Sequence, residues 1–181
     1  MKIGANGWLS GVRKIASRNY DSRPPGTAID LLVIHNISLP PDQFGGPDIV
    51  NFFTNQLDTD AHPYFAQLKG VKVSSHFLIR RNGEIVQLVP CRARAWHAGV
   101  SSWQERTRCN DFSIGIELEG SDFVPFTDRQ YGALARLTRR LQRQYPIQNI
   151  AGHSDIAPGR KTDPGPYFDW SRYRATLMSG K

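Results

Sequence analysis

The chain has 181 residues, 39% of them hydrophobic, and a formal net charge of +7, so it is long enough to bury the core of one domain. The composition excludes a wholly disordered, collagen-like or coiled-coil chain, and the longest apolar run, Leu31 to Ile34, is too short to cross a bilayer. The positive charge favours an anionic partner or substrate, while two cysteines are too few for a disulfide framework.

The beginning of the chain predicts an arm that leads into a single domain spanning residues 1–181. Residues 1–26 are rich in turn formers and end in Arg23-Pro24-Pro25-Gly26. The opening M-K-I-G-A-N-G-W-L-S-G lacks the apolar stretch of a secretory signal peptide, so we expect a cytoplasmic protein with reduced cysteines.

Two elements follow the arm. Residues 30–37 (D-L-L-V-I-H-N-I) are continuously apolar up to His35, which predicts a buried central strand covered on both faces. After a loop rich in proline and glycine, the apolar residues from Ile49 to Leu57 fall on one face of a predicted helix.

The middle of the chain predicts three strands. Residues 74–80 and 84–89 flank Arg81-Asn82-Gly83, and Asn-Gly between apolar runs predicts a hairpin with positive φ at both central turn residues. Residues 113–119 (S-I-G-I-E-L-E) alternate strictly between aliphatic and polar side chains, which predicts a further strand.

The last third predicts two helices and a short strand. Thr127 and Gln130 have the spacing of a capping box, which begins a long helix that Pro146 ends. A short apolar strand leads to His153, and residues 170–177 predict a final helix. This order of elements predicts an α/β (α+β mixed) fold with a central mixed β-sheet flanked by helices.

Two histidines and an aspartate are candidate metal ligands. His35 lies where a buried strand meets a loop, and His153 leaves a second strand shortly before Asp163. Two imidazoles and one carboxylate are a common catalytic zinc set that leaves one position open for water. Because a lone histidine is more often a hydrogen-bonded core residue, and these two are far apart in the chain, spacing alone leaves both interpretations open.

Glu117 and Glu119 are alternative acid–base candidates. Both lie on the polar face of the strand 113–119, where a carboxylate can line a cleft or simply face solvent at a sheet edge. Lys161 can stabilise an oxyanion beside a metal or be an ordinary surface lysine, and Trp96 can belong to the core or to a ligand groove.

The motifs together resemble those of the type 2 N-acetylmuramoyl-L-alanine amidases of the peptidoglycan-recognition superfamily. The resemblance is carried by V-I-H-N-I-S-L-P-P, A-H-P-Y-F, V-S-S-H-F-L-I-R-R-N-G-E-I-V-Q, R-A-W-H-A-G-V-S, C-N-D-F-S-I-G-I-E-L-E-G and G-H-S-D-I-A-P-G-R-K-T-D-P-G-P. It extends from about Trp8 to Tyr173 and implies a mixed sheet with one zinc ion in a surface cleft. It also implies hydrolysis of the lactyl–L-Ala amide of 1,6-anhydro-N-acetylmuramyl peptides in peptidoglycan recycling.

The resemblance also implies roles for individual residues. The implied zinc ligands are His35, His153 and Asp163. It assigns the acid–base role to Glu117 rather than Glu119, and it places Lys161 beside the metal ligands. The implied substrate contacts are Asn36, Lys72, Trp96, His97 and Arg108. Lys72 stands where an arginine is expected, so a bidentate grip on a carboxylate is lost there.

These implications define the expected partners. We expect a monomer that takes a small muropeptide substrate and binds neither nucleic acid nor membrane. A non-catalytic muropeptide-binding module is the main alternative, but relatives that only bind lack the full ligand set. A nucleic-acid binder is suggested only by the charge, since the chain carries no recognisable nucleic-acid motif.

Overall fold

The computed structural model describes residues 1–179 and contains a mixed β-sheet between layers of helices. The helices are α1 (Asp48–Phe53), α2 (Asp128–Gln142), α3 (His153–Ile156) and α4 (Trp170–Met178), and 3₁₀ turns cover Pro63–Leu68 and Cys109–Asp111. The strands are β1 (Arg13–Lys14), β2 (Tyr20–Ser22), β3 (Leu31–Ile37), β4 (Phe77–Ile79), β5 (Ile85–Gln87), β6 (Ala93–Ala95), β7 (Ser102–Trp103), β8 (Arg106–Thr107), β9 (Ser113–Glu119) and β10 (Asn149–Gly152).

The main sheet has the strand order β1-β5-β4-β9-β3-β10. β3 runs parallel to both β9 and β10, and β9 runs parallel to β4, whereas β4 and β5 are antiparallel. Two small antiparallel pairs, β2–β6 and β7–β8, lie outside this sheet. The predicted α/β (α+β mixed) architecture with a central mixed sheet is therefore confirmed.

β9 is an interior strand, and all of its residues are buried. Ile114 and Ile116 share one hydrophobic cluster with Leu134 of α2, so the aliphatic face of β9 packs against the long helix. The polar face is covered as well, since Ser113, Glu117 and Glu119 are all buried. β9 also lies between β3 and β4, so it is not an edge strand. The interpretation of this face as the solvated side of an edge strand is wrong.

The register of the parallel strands brings distant parts of the chain to one sheet end. His35 of β3 pairs with Glu117 of β9, and Ile34 pairs with Gly152, the residue before His153. Carboxyl ends of neighbouring parallel strands meet at the same edge, which is where α/β proteins place their sites.

The predicted hairpin is present, but its turn differs from the prediction. β4 and β5 pair antiparallel and are shorter than predicted. Gly83 has a φ of 84°, whereas Asn82 is not among the residues with positive φ. The N–H of Gly83 donates to the carbonyl of Arg80, and the N–H of Arg80 donates to the carbonyl of Glu84. The connection is therefore a three-residue loop in which only the glycine needs a positive φ.

Residues 1–26, predicted as an arm, are packed into the domain. β1 extends the main sheet by pairing with β5, and β2 pairs with β6. Leu9 is fully buried in the main core. The Arg23 guanidinium donates to the backbone carbonyls of Asn110, Cys91 and Ser113, which ties the segment to the start of β9.

The long helix begins as predicted. The Thr127 hydroxyl accepts from the N–H of Gln130, whose side-chain oxygen accepts from the N–H of Thr127, so the capping box is confirmed. α4 packs on α2, where the hydroxyls of Thr138 and Tyr173 lie 2.6 Å apart. α1 is shorter than predicted and leaves Leu57 beyond its end. Within residues 1–179, every helix is too short or too polar to cross a membrane.

Candidate metal and catalytic site

Three side chains meet at the carboxyl ends of β3 and β10. The Nδ1 atoms of His35 and His153 lie 3.0 Å apart, and Oδ2 of Asp163 lies 2.9 Å from the first and 3.1 Å from the second. His35 belongs to β3, His153 begins α3 directly after β10, and Asp163 lies on the loop beyond α3. The structure thus brings together the three residues that spacing alone did not unite.

The donor set fits a zinc ion. Two imidazole nitrogens and one carboxylate oxygen lie within 4.8 Å of one another, which matches the three protein ligands of a catalytic zinc site. Nε2 of His153 lies 3.1 Å from the carbonyl oxygen of Ala98, which can only accept, so Nε2 carries the proton and Nδ1 keeps a free electron pair. Burial opposes ionisation of Asp163, but without a metal the adjacent side chains of His153 and His35 outweigh burial and lower the pKa of this carboxyl.

Glu117 lines the same cavity as the three candidate ligands. Its position opposite His35 in the parallel register places it beside them, and its side chain is only 7% exposed. Burial and, secondly, the negative charge of Asp163 raise the pKa of Glu117 well above its ordinary value, while Lys161 acts in the opposite direction. A carboxyl group whose pKa is raised by burial is suited to accept a proton and to release it again.

Glu119 serves the fold instead. Its carboxylate forms a buried ion pair with Arg80 at 2.9 Å and accepts hydrogen bonds from the backbone N–H groups of Gly45 and Arg81. Both carboxylate oxygens are therefore used to hold the loop after β3 and the turn after β4. The two glutamates that strand alternation could not distinguish differ in their surroundings, and Glu117 is the one that lines the cavity.

A cavity of about 450 Å³ adjoins the ligand cluster. Its apolar wall is formed by Phe52, Tyr64, Leu68, Val71 and Trp96. Lys161 is exposed and lines the polar side together with Glu117. A concave site of this size, with one apolar wall and several convergent polar groups, suits a small-molecule ligand.

The predicted substrate-contact residues do not all reach this cavity. Asn36 and Trp96 line it, and the Asn36 amide also donates to Asp122 and to the carbonyl of Pro164. Lys72 lines a neighbouring cavity of about 310 Å³. Arg108 is exposed outside both linings, with its Nε 3.3 Å from Oδ2 of Asp111.

His97 borders the cavity, but both of its ring nitrogens have partners inside the protein. Its Nδ1 lies 3.0 Å from Nε2 of His35, and its Nε2 lies 3.1 Å from the hydroxyl of Ser113. Sequence reasoning missed this role of Ser113. The available signal was that Ser113 shares the polar face of its strand with Glu117.

The chain is similar to a family of known proteins. Residues 25–166 match the family described as N-acetylmuramoyl-L-alanine amidase. The chain is 59% identical over 173 residues to the 1,6-anhydro-N-acetylmuramyl-L-alanine amidase AmpD of Escherichia coli strain K12, with 94% of each chain covered. It is 53% identical over 174 residues to AmpD of Haemophilus influenzae, covering 94% of this chain and 95% of the relative. It superposes on the crystal structure of a selenomethionine AmpD derivative with a TM-score of 0.95 and 57% identity, covering 98% of this chain and 99% of the other. The chain therefore belongs to the N-acetylmuramoyl-L-alanine amidase family.

Proposed function

We propose that this amidase hydrolyses the amide bond between the lactyl group of 1,6-anhydro-N-acetylmuramic acid and the L-Ala of a muropeptide. One zinc ion would be held by His35, His153 and Asp163. The observation that carries the proposal is the convergence of these three donors beside a cavity that Glu117 also lines. The names of the AmpD relatives, which share more than half of this sequence, agree with this substrate.

The chemistry divides between the metal and the chain. When bound, zinc supplies Lewis acidity, which polarises an amide carbonyl and acidifies water. Glu117 takes a proton from the attacking water and later gives it to the departing alanine nitrogen. A carboxyl group whose pKa lies above the ordinary glutamate value suits this exchange, and burial raises the pKa of Glu117.

The remaining cavity residues bind and orient the substrate. The ammonium group of Lys161 stabilises the negative charge that develops on the carbonyl oxygen. Asn36 and Trp96 contact the muropeptide, since both line the cavity. Lys72 binds a carboxylate of the stem peptide. Its cavity adjoins the main one, since Phe52 lines both, so a peptide that leaves the main cavity can reach Lys72.

The complete set of groups favours catalysis over binding alone. A muropeptide-binding module has no need for a buried carboxyl with a raised pKa beside three metal donors. We also propose a cytoplasmic location, since the buried, unpaired thiols Cys91 and Cys109 suit a reducing compartment.

The test compares two glutamate variants in an assay that follows the release of stem peptide from a 1,6-anhydromuramyl peptide. Glu117→Gln keeps the shape of the side chain and should keep zinc, since Glu117 is not a ligand, but it should lose about 10²–10⁴ in kcat. Glu119→Gln is the matched control and should keep its activity when folded.

Two results would overturn the proposal. One is near-normal activity of Glu117→Gln together with an inactive Glu119→Gln. The other is wild-type protein that hydrolyses the substrate after complete removal of metal by a chelator.

A further inference from the structure

A line of hydrogen-bonding groups leads from the candidate metal site into the sheet. Nε2 of His35 lies 3.0 Å from Nδ1 of His97, and Nε2 of His97 lies 3.1 Å from the hydroxyl oxygen of Ser113. His97 is 8% exposed and Ser113 is fully buried. These groups therefore satisfy one another inside the protein rather than through solvent.

The protons along this line have one arrangement that suits a metal. Nδ1 of His35 can bind a metal only with a free electron pair, which places the ring proton on Nε2. That N–H then donates to Nδ1 of His97, and the Nε2–H of His97 donates to Ser113. His153 reaches the same state through the carbonyl of Ala98, which can only accept.

We propose that His97, held by Ser113, is a positioning residue that keeps His35 in the tautomer and ring orientation that bind zinc. The inference rests on the proposed function, because it concerns the same zinc site. Groups that hydrogen-bond to metal-ligating histidines typically contribute about 10–100-fold to metal affinity. His97 thereby acts through His35 rather than on the substrate.

Packing leaves the His97 ring little freedom to move. A Cβ atom at Gly115 would lie only 2.5 Å from Cγ of His97, so the ring packs directly against the backbone of β9. The ring of His76 lies near it, with centroids 5.8 Å apart. The backbone N–H groups of His97 and Ala98 both donate to the side-chain oxygen of Asn110, which fixes this stretch of chain.

A matched pair of substitutions tests the inference. His97→Asn offers an oxygen near the position of Nδ1, which can still accept from His35. His97→Leu has the same branched shape and no acceptor. We expect His97→Leu to weaken zinc binding by about 10–100-fold and His97→Asn to stay within about threefold of wild type. The readout is the zinc dissociation constant of the full chain, measured by competition with a chelator, after thermal unfolding has shown that each metal-free variant is folded.

A second variant and a spectroscopic measurement keep the test independent of one substitution. Ser113→Ala removes the acceptor of the Nε2–H of His97 and should also weaken zinc binding. Imidazole ¹⁵N chemical shifts of the zinc-loaded wild type should show the proton of His35 on Nε2.

The outcomes separate this inference from the proposed function. Wild-type protein that binds no zinc would overturn both. If the wild-type protein binds zinc, two results would overturn only the inference. One is equal zinc affinity of His97→Leu and His97→Asn, and the other is a proton of His35 on Nδ1.

Discussion

Burial of His76 should make the protein sensitive to acid. The side chain is fully buried, and burial, followed by the positive charge of Arg23, lowers the pKa of His76 from 6.5 to about 3. Its Nδ1 accepts from the N–H of Gly115, and its Nε2 lies 3.1 Å from the carbonyl of Ala93. A neutral imidazole satisfies both partners, whereas a protonated one loses the bond from Gly115.

The size of the effect follows from the two pKa values of His76. The unfolded chain protonates this histidine near pH 6.5, while the folded protein keeps it neutral down to about pH 3. The unfolded state therefore binds more protons in this window, and the free energy of unfolding falls as the pH falls. At about 1.4 kcal/mol per pH unit, complete titration costs about 5 kcal/mol. That is a large share of the total stability of a domain, about 5–15 kcal/mol.

His76→Gln tests this reasoning because glutamine does not titrate. The variant should be less stable near neutral pH by about 1–3 kcal/mol, since a buried hydrogen bond is lost. Its unfolding free energy should nevertheless depend less on pH than that of the wild type between about pH 7 and pH 4. Urea unfolding followed by circular dichroism, on metal-free protein, measures both quantities.

A surface control completes the design. His62 caps the 3₁₀ turn at Pro63–Leu68 through its Nδ1, away from the buried histidines. His62→Gln should keep more of the acid sensitivity of the wild type than His76→Gln, because the His62 side chain is only half-buried. Equal acid sensitivity of the wild type and His76→Gln would refute the assignment of this destabilisation to His76.

Two further substitutions probe the site itself. Lys161→Met keeps the aliphatic stem and removes the charge, so it should lower kcat by about 10²–10³ without loss of zinc. Steady-state kinetics with metal analysis checks this, and a rise in KM alone would make Lys161 an anchor for a substrate carboxylate instead. Gly115→Ala adds a Cβ about 2.5 Å from Cγ of His97, so it should cost about 1–3 kcal/mol of stability and weaken zinc binding. Urea unfolding and chelator competition measure both effects, and unchanged zinc affinity would contradict the positioning role of His97.

The elements of the fold were largely predictable, whereas the meeting of His35 and His153 was not. The apolar run before His35 and the capping box at Thr127 are local patterns, and local patterns determine single elements. The pairing of β3 with β10 is a long-range contact, so no spacing in the sequence reveals it. Residue type and position at strand ends made these residues candidate ligands, but only the resemblance to a known family favoured them over ordinary core residues.

The roles of the two glutamates show the same limit. Alternation places Glu117 and Glu119 on one face, but the partners of Glu119 come from elsewhere in the chain. The turn after β4 also differs from its prediction at a residue that makes a long-range contact. The N–H of Arg81 in this turn donates to Glu119. That tertiary contact involves a residue within the loop and accompanies the longer, three-residue connection in place of the two-residue turn that Asn-Gly suggests.

The strand order also has a consequence for synthesis of the chain. β3 is made early, and its residues from Leu31 to Ile34 are all fully buried in the finished fold. On the nascent chain β3 stays unpaired until β9 emerges, and its other edge stays open until β10 emerges. An apolar strand with an open edge is a surface on which two chains can associate. β10 closes that edge with only four residues, and the short strand that then borders the sheet offers few backbone groups to a second chain.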